Sequence, residues 1–348
     1  MRPTLAVGDL HLVRDGSAAT SSDLTRLVRE HPGSRLAIAG DLFDLSADFP
    51  GESPLVALRH ALAASPLIPA LGEHVDRGGE LWWVAGNHDA PIGEPEARAI
   101  VLDALSLRGD ARDRVRVSPW FVRGDGLHLE HGHLYDPDNA LSHPLFPCVR
   151  SLGVQFVEEF IAPTGALRYL NANDATPLKL FVSAFTWYGR RGPYVVYRYF
   201  RTAFRALGRS GRFYDDANEV TVGTERERAF AESVGVEADL IARLREHAST
   251  PTMKSFADTF RRLYLDRVAA TVALTTGAVL AATRHRRAAV ALVGAGAAVM
   301  GTSWALGHDR YGGAVSERLT RAGVAIAEST DTELVVFGHA HREVASKG

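Results

Sequence analysis

The chain has 348 residues, with 39 Lys and Arg against 41 Asp and Glu, and Cys148 as its single cysteine. That length suits one large or two modest domains, and a single cysteine excludes both a disulfide framework and a thiolate metal cluster. The net charge of −2 is nearly balanced, but its distribution along the chain is uneven.

The first element is "TLAVGDLHLV", Thr4 to Val13, a short apolar run closed by glycine and followed by Asp9 and His11. It begins almost at once, which leaves no room for a cleaved signal peptide and points to a cytoplasmic protein. "SSDLTRLVREH" then predicts a helix with Ser21 or Ser22 as N-cap and Leu24, Leu27 and Val28 on one face. "RLAIAGDLFDL" repeats the strand-glycine form and presents Asp41 and Asp44. "SPLVALRHALAAS" places Pro54 in a first helical turn, where proline is tolerated. "ELWWVAGNHDA" is a third strand, ending in Asn87, His88 and Asp89. "EPEARAIVLDALSL" predicts a helix with an acidic start, as the helix dipole favours. "VRVSPWFVRGDGLHLEHG" predicts a hairpin about Gly124, Asp125 and Gly126, and its exit offers His131 and His133. Far along the chain, "GGAVSERLTRAG" predicts one more helix, and "TELVVFGHAHREV" a last strand followed by His339 and His341. Alternation of strand and helix argues a layered α/β fold.

Five strand exits thus carry carboxylate, imidazole or carboxamide, and strand ends on one edge of a sheet converge on one point. Asp oxygen and His nitrogen suit hard or borderline divalent ions. Asp9, His11, Asp41, Asn87, His131, His339 and His341 exceed the needs of one tetrahedral ion and suit two. Two ions roughly 3.5–4 Å apart share a bridging carboxylate and clamp the oxygens of an in-line displacement at phosphorus.

The ordered set D-x-H, G-D-x-x-D, G-N-H-D, H-G-H and G-H-x-H resembles the calcineurin-like metallophosphoesterases over Thr4–Asp136 and Ala314–Arg342. The resemblance implies a layered β-sandwich of αββα type, formed by residues 1–136 and 308–348 and interrupted by a mostly helical insertion at 137–307. It implies that Asp9, His11, Asp41 and His341 hold one divalent ion. Asp41 is shared with a second ion held by Asn87, His131 and His339. His131 rather than His133 is the implied ligand, because the family uses the histidine before the glycine. His88 is implied to contact the phosphoryl group and protonate the leaving oxygen, with Asp89 behind it orienting the imidazole. Asp44 is expected to support the site or start a helix. Manganese is the expected metal, with iron, zinc or nickel as alternatives, and a metal-bridging hydroxide is the implied nucleophile.

The insertion holds two unusual stretches. From Ala175 to Tyr214 there is no acidic residue, while Lys179 and seven arginines fall there among Phe181, Phe185, Trp187, Tyr188, Tyr194, Tyr197, Tyr199, Phe200 and Phe204. Arg198, Arg201, Arg205, Arg209 and Arg212 form a basic helical stripe, with Val196, Phe200, Ala203 and Leu207 on the other side. Such a stripe reads as a membrane-surface helix, a solvated lid helix, or a nucleic-acid contact, the last being least expected. Val268–Thr283 and Ala288–Leu306 are apolar and uncharged, separated by "RHRR", with Gly294, Ala298 and Thr302 as a small-residue ridge. They predict a hairpin over 268–306 that enters one leaflet, packs as a buried lid, or spans the bilayer twice.

A helical insertion before the final G-H-x-H, together with "DLHL" and "GDLFD", is similar to the UDP-2,3-diacylglucosamine pyrophosphatase branch. That branch commonly has arginine at the His88 position and a shorter insertion. The expected substrate is a lipid-linked or membrane-presented phosphoester or pyrophosphate, met by a peripheral or monotopic enzyme on the inner membrane face. The alternatives are a soluble phosphodiesterase or phosphatase for nucleotides or phosphoproteins, and a membrane-binding scaffold with a decayed site.

Overall fold

The short apolar runs form strands in a computed structural model that describes residues 2–15, 17–166, 177–211, 217–306 and 314–340. β1 (Thr4–Val7), β2 (Arg35–Ala39), β3 (Glu80–Val84) and β4 (Val115–Ser118) lie in that order in one parallel sheet. A second sheet holds β5 (Phe121–Gly124), β6 (Leu127–Glu130) and β7 (Leu334–Phe337). β5 and β6 form the expected antiparallel hairpin, and Asp125 and Gly126 take φ of 52° and 73° at its turn. Two left-handed residues in succession match the right-handed twist of the strands they join. β7 returns to pair with β6 in parallel.

Side-chain alternation along the strands builds the layers. Leu36, Ile38, Leu81 and Trp83 face one way, into a core shared with Leu24, Val28, Leu58, Leu71, Val75 and Val101 of the flanking helices. Ala37, Ala39, Trp82 and Val84 face the other way and meet Val122, Leu127 and Leu129 of the second sheet. The outer face of that sheet presents Phe121 to a third core with Phe230, Ile241, Leu244, Leu319 and Ile326. The result is helix, sheet, sheet, helix, the αββα arrangement. Trp82 and Trp83 are both fully buried, on opposite faces of one strand, and each buried side chain of this size contributes roughly 1.5–3 kcal/mol. Arg35 closes one end of the layers. It stacks 3.8 Å from the Trp82 ring and pairs with Glu80 at 2.8 Å and Asp125 at 2.6 Å.

Several local expectations shift. The first helix starts at Ala18 with Ser17 as N-cap, so Ser21 lies inside it and is buried. Pro54 opens helix Pro54–Ala64 as expected. Helix Ala97–Ala104 has no acid in its first turn, because Glu94 and Glu96 precede it.

Packing divides the chain into two units. The first comprises Met1–Pro163, Asp216–Pro251 and Val315–Gly348. It therefore includes residues 137–163 and 216–251, which the sequence reading placed in the insertion. Helices Ala217–Val234, Ala238–Glu246 and Ala314–Thr330 supply the outer layer on the second sheet.

The second unit comprises Thr164–Asp215 and Thr252–Ala314. In helix Gly192–Arg209 the buried residues are Gly192, Val195, Thr202, Ala203 and Ala206, while Tyr194, Tyr197 and Phe204 are exposed beside Arg201, Arg205 and Arg209. Val196, Phe200 and Leu207 are only half-buried, so the apolar face is rotated from the expected one. Arg212 lies outside the described residues. Helices Leu265–Ala282 and Arg286–Leu306 form the expected hairpin. Its seam differs from the expected ridge: Ala270 and Gly277 face Ala289, Gly296 and Ser303, while Gly294, Ala298 and Thr302 point outward and are exposed. Residues spaced by seven stay on one face of a helix over several turns, whereas the outer ridge lies on another face.

Candidate metal centre

The first three strands run in parallel, so their C-terminal ends share one edge of the sheet. Asp9 and His11 follow β1, Asp41 follows β2, Asn87 to Asp89 follow β3, His131 follows β6 and His339 follows β7. Asp9, His11 and Asp41 adopt φ of 51°, 44° and 50°. Left-handed backbone at non-glycine residues costs about 1–3 kcal/mol each and persists where the surroundings enforce it. Here the backbone enforces it, since Asp9 N–H donates to the Gly40 carbonyl at 3.2 Å and His11 N–H to that of Asp41 at 3.0 Å. Gly40 is required at its position, because a Cβ would lie 2.7 Å from the His131 ring and its φ is 78°.

Asp41 sits at the centre and is 1% exposed. Its Oδ2 lies 3.1 Å from His131 Nε2 and 3.8 Å from His11 Nε2, while its Oδ1 accepts from His88 N–H at 2.7 Å. Burial alone would raise the Asp41 carboxyl, but His131, His88 and His11 outweigh it and hold it well below the usual carboxylate range. Asp9 Oδ1 is 4.0 Å from His131 Nε2. Candidate ligand atoms of Asp9, His11 and Asp41 all lie within 4.8 Å of one another.

On the other side, hydrogen bonding dictates which ring nitrogens carry protons. His131 Nδ1 lies 2.8 Å from the Ala39 carbonyl and must donate to it, which leaves a lone pair on Nε2. That Nε2 is 3.1 Å from Asn87 Oδ1 and 3.3 Å from His339 Nδ1. His339 in turn turns its Nε2 to Asp136 Oδ2 at 3.1 Å, which leaves its own Nδ1 with a lone pair. Four electron-rich atoms therefore face one another: Asp41 Oδ2, Asn87 Oδ1, His131 Nε2 and His339 Nδ1. Such a group repels itself unless positive charge sits among its members. Without an ion, a proton on His131 Nε2 supplies that charge. Burial alone would lower its pKa, yet Asp41, Asp9 and the Ala39 carbonyl push it up to about 9. The donor set fits divalent ions.

The model of the calcineurin-like phosphoesterase domain matches residues 2–200, more than half of the chain. The chain belongs to the calcineurin-like phosphoesterase family. It is accordingly a metal-dependent hydrolase of phosphoester bonds. No curated protein and no solved structure matches it.

In this calcineurin-like phosphoesterase the expected partner of His88 is corrected. Asp89 is fully buried and does not touch the His88 ring: its carboxylate accepts from the backbone N–H groups of Asp41 at 3.0 Å, Leu42 at 3.0 Å and Gly86 at 2.7 Å. It clamps the exits of β2 and β3 together. Burial and the Asp41 charge push its carboxyl up to about 6. The residue behind His88 is Asp44, 3.1 Å from Nδ1, with Ser46 Oγ 2.8 Å from the same nitrogen. Asp44 also caps helix Leu45–Asp48 by accepting from Ala47 N–H at 3.0 Å. Burial alone would lower the His88 pKa, but Asp44 and Asp41 push it up to about 9. The His88 and His11 rings lie edge-on, 4.8 Å apart, and His11, Asp44 and His88 form a second group able to reach one ion.

His341 lies outside the described residues. His133 is buried with its ring 5.3 Å from that of His131, and neither of its nitrogens has a hydrogen-bond partner among the described residues. Burial, His131 and His339 hold its pKa well below the ordinary histidine value. Ser46, Asp136 and Asn139 are contacts that motif spacing did not single out. Asp136 stands at the end of the "HGHLYD" stretch, but no spacing signal marks Ser46 or Asn139.

Proposed function

We propose that this enzyme is a dinuclear phosphohydrolase acting on a lipid-linked or membrane-presented phosphoester or pyrophosphate. Asp9, His11, Asp41 and His341 would hold one ion, and Asp41, Asn87, His131 and His339 the other. Manganese is the first candidate, with iron, zinc or nickel as alternatives. Divalent ions there supply Lewis acidity toward the phosphoryl oxygens and a nucleophile at neutral pH. His88 is held through Nδ1 by Asp44 and Ser46. Its other nitrogen is left to contact the phosphoryl group and deliver a proton to the departing oxygen. Asp89 keeps the strand exits in register, so that Asp41 and His88 stay side by side.

The lipid reading rests on one observation. Helices Leu265–Ala282 and Arg286–Ala305 are long and apolar enough to cross a bilayer, yet only 22% and 17% of their apolar windows are buried. Val272, Val279, Val290, Val299 and Trp304 stand exposed along them. At 1.5 Å per residue, 18 residues extend about 27 Å, close to the hydrocarbon thickness. The exposed aromatic and arginine residues of Gly192–Arg209 support the same reading, because such a face suits anionic headgroups. The same reading takes a peripheral or monotopic position on the inner membrane face, with a nucleotide-diphosphate lipid as the first substrate class to test.

The test is a hydrolysis screen of nucleotide-diphosphate lipids against soluble diesters with Mn²⁺ added, paired with co-sedimentation on anionic vesicles. Preference for the lipid substrates together with vesicle binding is expected. Equal rates on soluble diesters without vesicle binding would favour a soluble phosphodiesterase whose hairpin is a lid.

A further inference from the structure

The turn after β6 carries two polar side chains that no part of the proposed reaction uses. Asp136 is 7% exposed. Its Oδ1 accepts from Asp138 N–H at 3.1 Å. Its Oδ2 meets both His339 Nε2 at 3.1 Å and Asn139 Nδ2 at 2.7 Å. Asn139 Oδ1 then accepts from Asn87 Nδ2 at 3.3 Å. The turn is pinned from outside, since Gly153 N–H donates to the Asp138 carbonyl at 2.9 Å and a Cβ on Gly153 would fall against Asn139 Oδ1.

These contacts have a direction. A carboxylate only accepts, so His339 must donate from Nε2 and keep its Nδ1 lone pair for the cluster. The same carboxylate draws the NH₂ of Asn139, which turns its oxygen outward. That oxygen draws the NH₂ of Asn87, which turns Asn87 Oδ1 toward His131 Nε2. One anion thus sets the sense of two electron-rich atoms through a short relay. Reversal at any step would aim an N–H where a cation is to be held.

We infer that Asp136 and Asn139 are positioning residues that impose the metal-ready tautomer of His339 and the metal-ready orientation of Asn87 before any ion arrives. The inference rests on the dinuclear reading, and partners of this kind typically alter metal affinity by about 10- to 100-fold.

The experiment uses the full chain stripped of metal. Long-range ¹H–¹⁵N correlation spectra report the tautomer of His339, and competition with a chelating dye reports Mn²⁺ affinity. In the wild type, His339 should carry its proton on Nε2. In Asp136→Ala no acceptor faces Nε2, so the preference for the Nε2–H tautomer should be lost, with affinity for one ion falling about 10- to 100-fold. Asn139→Ala leaves Asp136 in place, so it should keep the Nε2–H tautomer yet weaken the same ion through Asn87. The second ion should stay within about threefold of wild type in both variants. A wild-type tautomer in Asp136→Ala, or unchanged Mn²⁺ affinity in both variants, would overturn the proposal. Thermal melting separates this from general loss of fold, because a merely structural role would lower the melting temperature without moving the His339 proton. The dinuclear reading is judged separately, by whether the wild type itself binds two ions.

Discussion

At the scale of single residues, Asp41 and His88 divide the work differently. Asp41 is buried among three histidines, so Asp41→Asn should release metal and abolish hydrolysis together, read by metal content and turnover. His88→Ala should keep its metal and slow turnover by about 10²–10⁴-fold, the usual loss of a general acid. Asp44→Asn should produce a similar but smaller loss, because Asp44 rather than Asp89 faces the ring. If the two act as a unit, the double variant should be no slower than His88→Ala; additive losses measured in steady-state kinetics would separate them. Gly40→Ala should cost stability through its left-handed backbone, on the order of 1–2 kcal/mol, and lower metal affinity by displacing His131. The candidate ligands were legible as a set of strand-exit motifs, and each described one reaches the same cluster. The place behind His88 that the resemblance implied for Asp89 is taken by Asp44. A residue one step along a tight turn points away from its neighbour, and Asp89 points back to three amide groups.

At the scale of elements, the helices of the second unit decide the membrane reading. Helix Gly192–Arg209 exposes Arg201, Phe204 and Arg205 together. Replacing Arg201 and Arg205 with Glu should weaken binding to anionic vesicles by about 1 kcal/mol per charge removed, with an effect that shrinks as salt rises. Phe204→Ser should weaken it without changing the salt dependence. Unaltered vesicle binding in these variants would leave the helix as a solvated lid. The periodicity of arginines was legible here, but the rotation of the buried face was not. Val195, Ala203 and Ala206 are smaller than Phe200 and Phe204, and close packing in this unit favours the small face. The hairpin shows the same effect. Its seam uses Ala270, Gly277, Ala289, Gly296 and Ser303, whereas the ridge of Gly294, Ala298 and Thr302 is turned outward.

For the whole molecule, strand order and the glycine-closed exits made the layered α/β class readable from sequence. The boundaries of the insertion were less legible, because helices at 217–246 carry no metal motif and resemble the rest of the helical stretch. Packing places them in the first unit, with Phe230, Leu240, Ile241 and Leu244 against Phe121 and Trp120. Ile241→Ala should therefore destabilise the first unit by about 2–5 kcal/mol, measured by denaturant unfolding. Replacing residues 269–305 by a short flexible linker should leave that unit folded and active on a soluble chromogenic diester, while removing vesicle binding. Loss of diester hydrolysis by a folded hairpin-free protein would show that the hairpin serves the chemistry itself.

The central claim is that the five strand exits build one two-ion centre for hydrolysis at phosphorus. Mn²⁺ titration into the stripped full-length protein, followed by bound metal and by turnover of a chromogenic phosphodiester in the same samples, tests it most directly. Two ions per chain and activity that rises with their binding are expected, and neither in Asp41→Asn. Turnover that persists after chelation, or that Asp41→Asn retains in full, would contradict it.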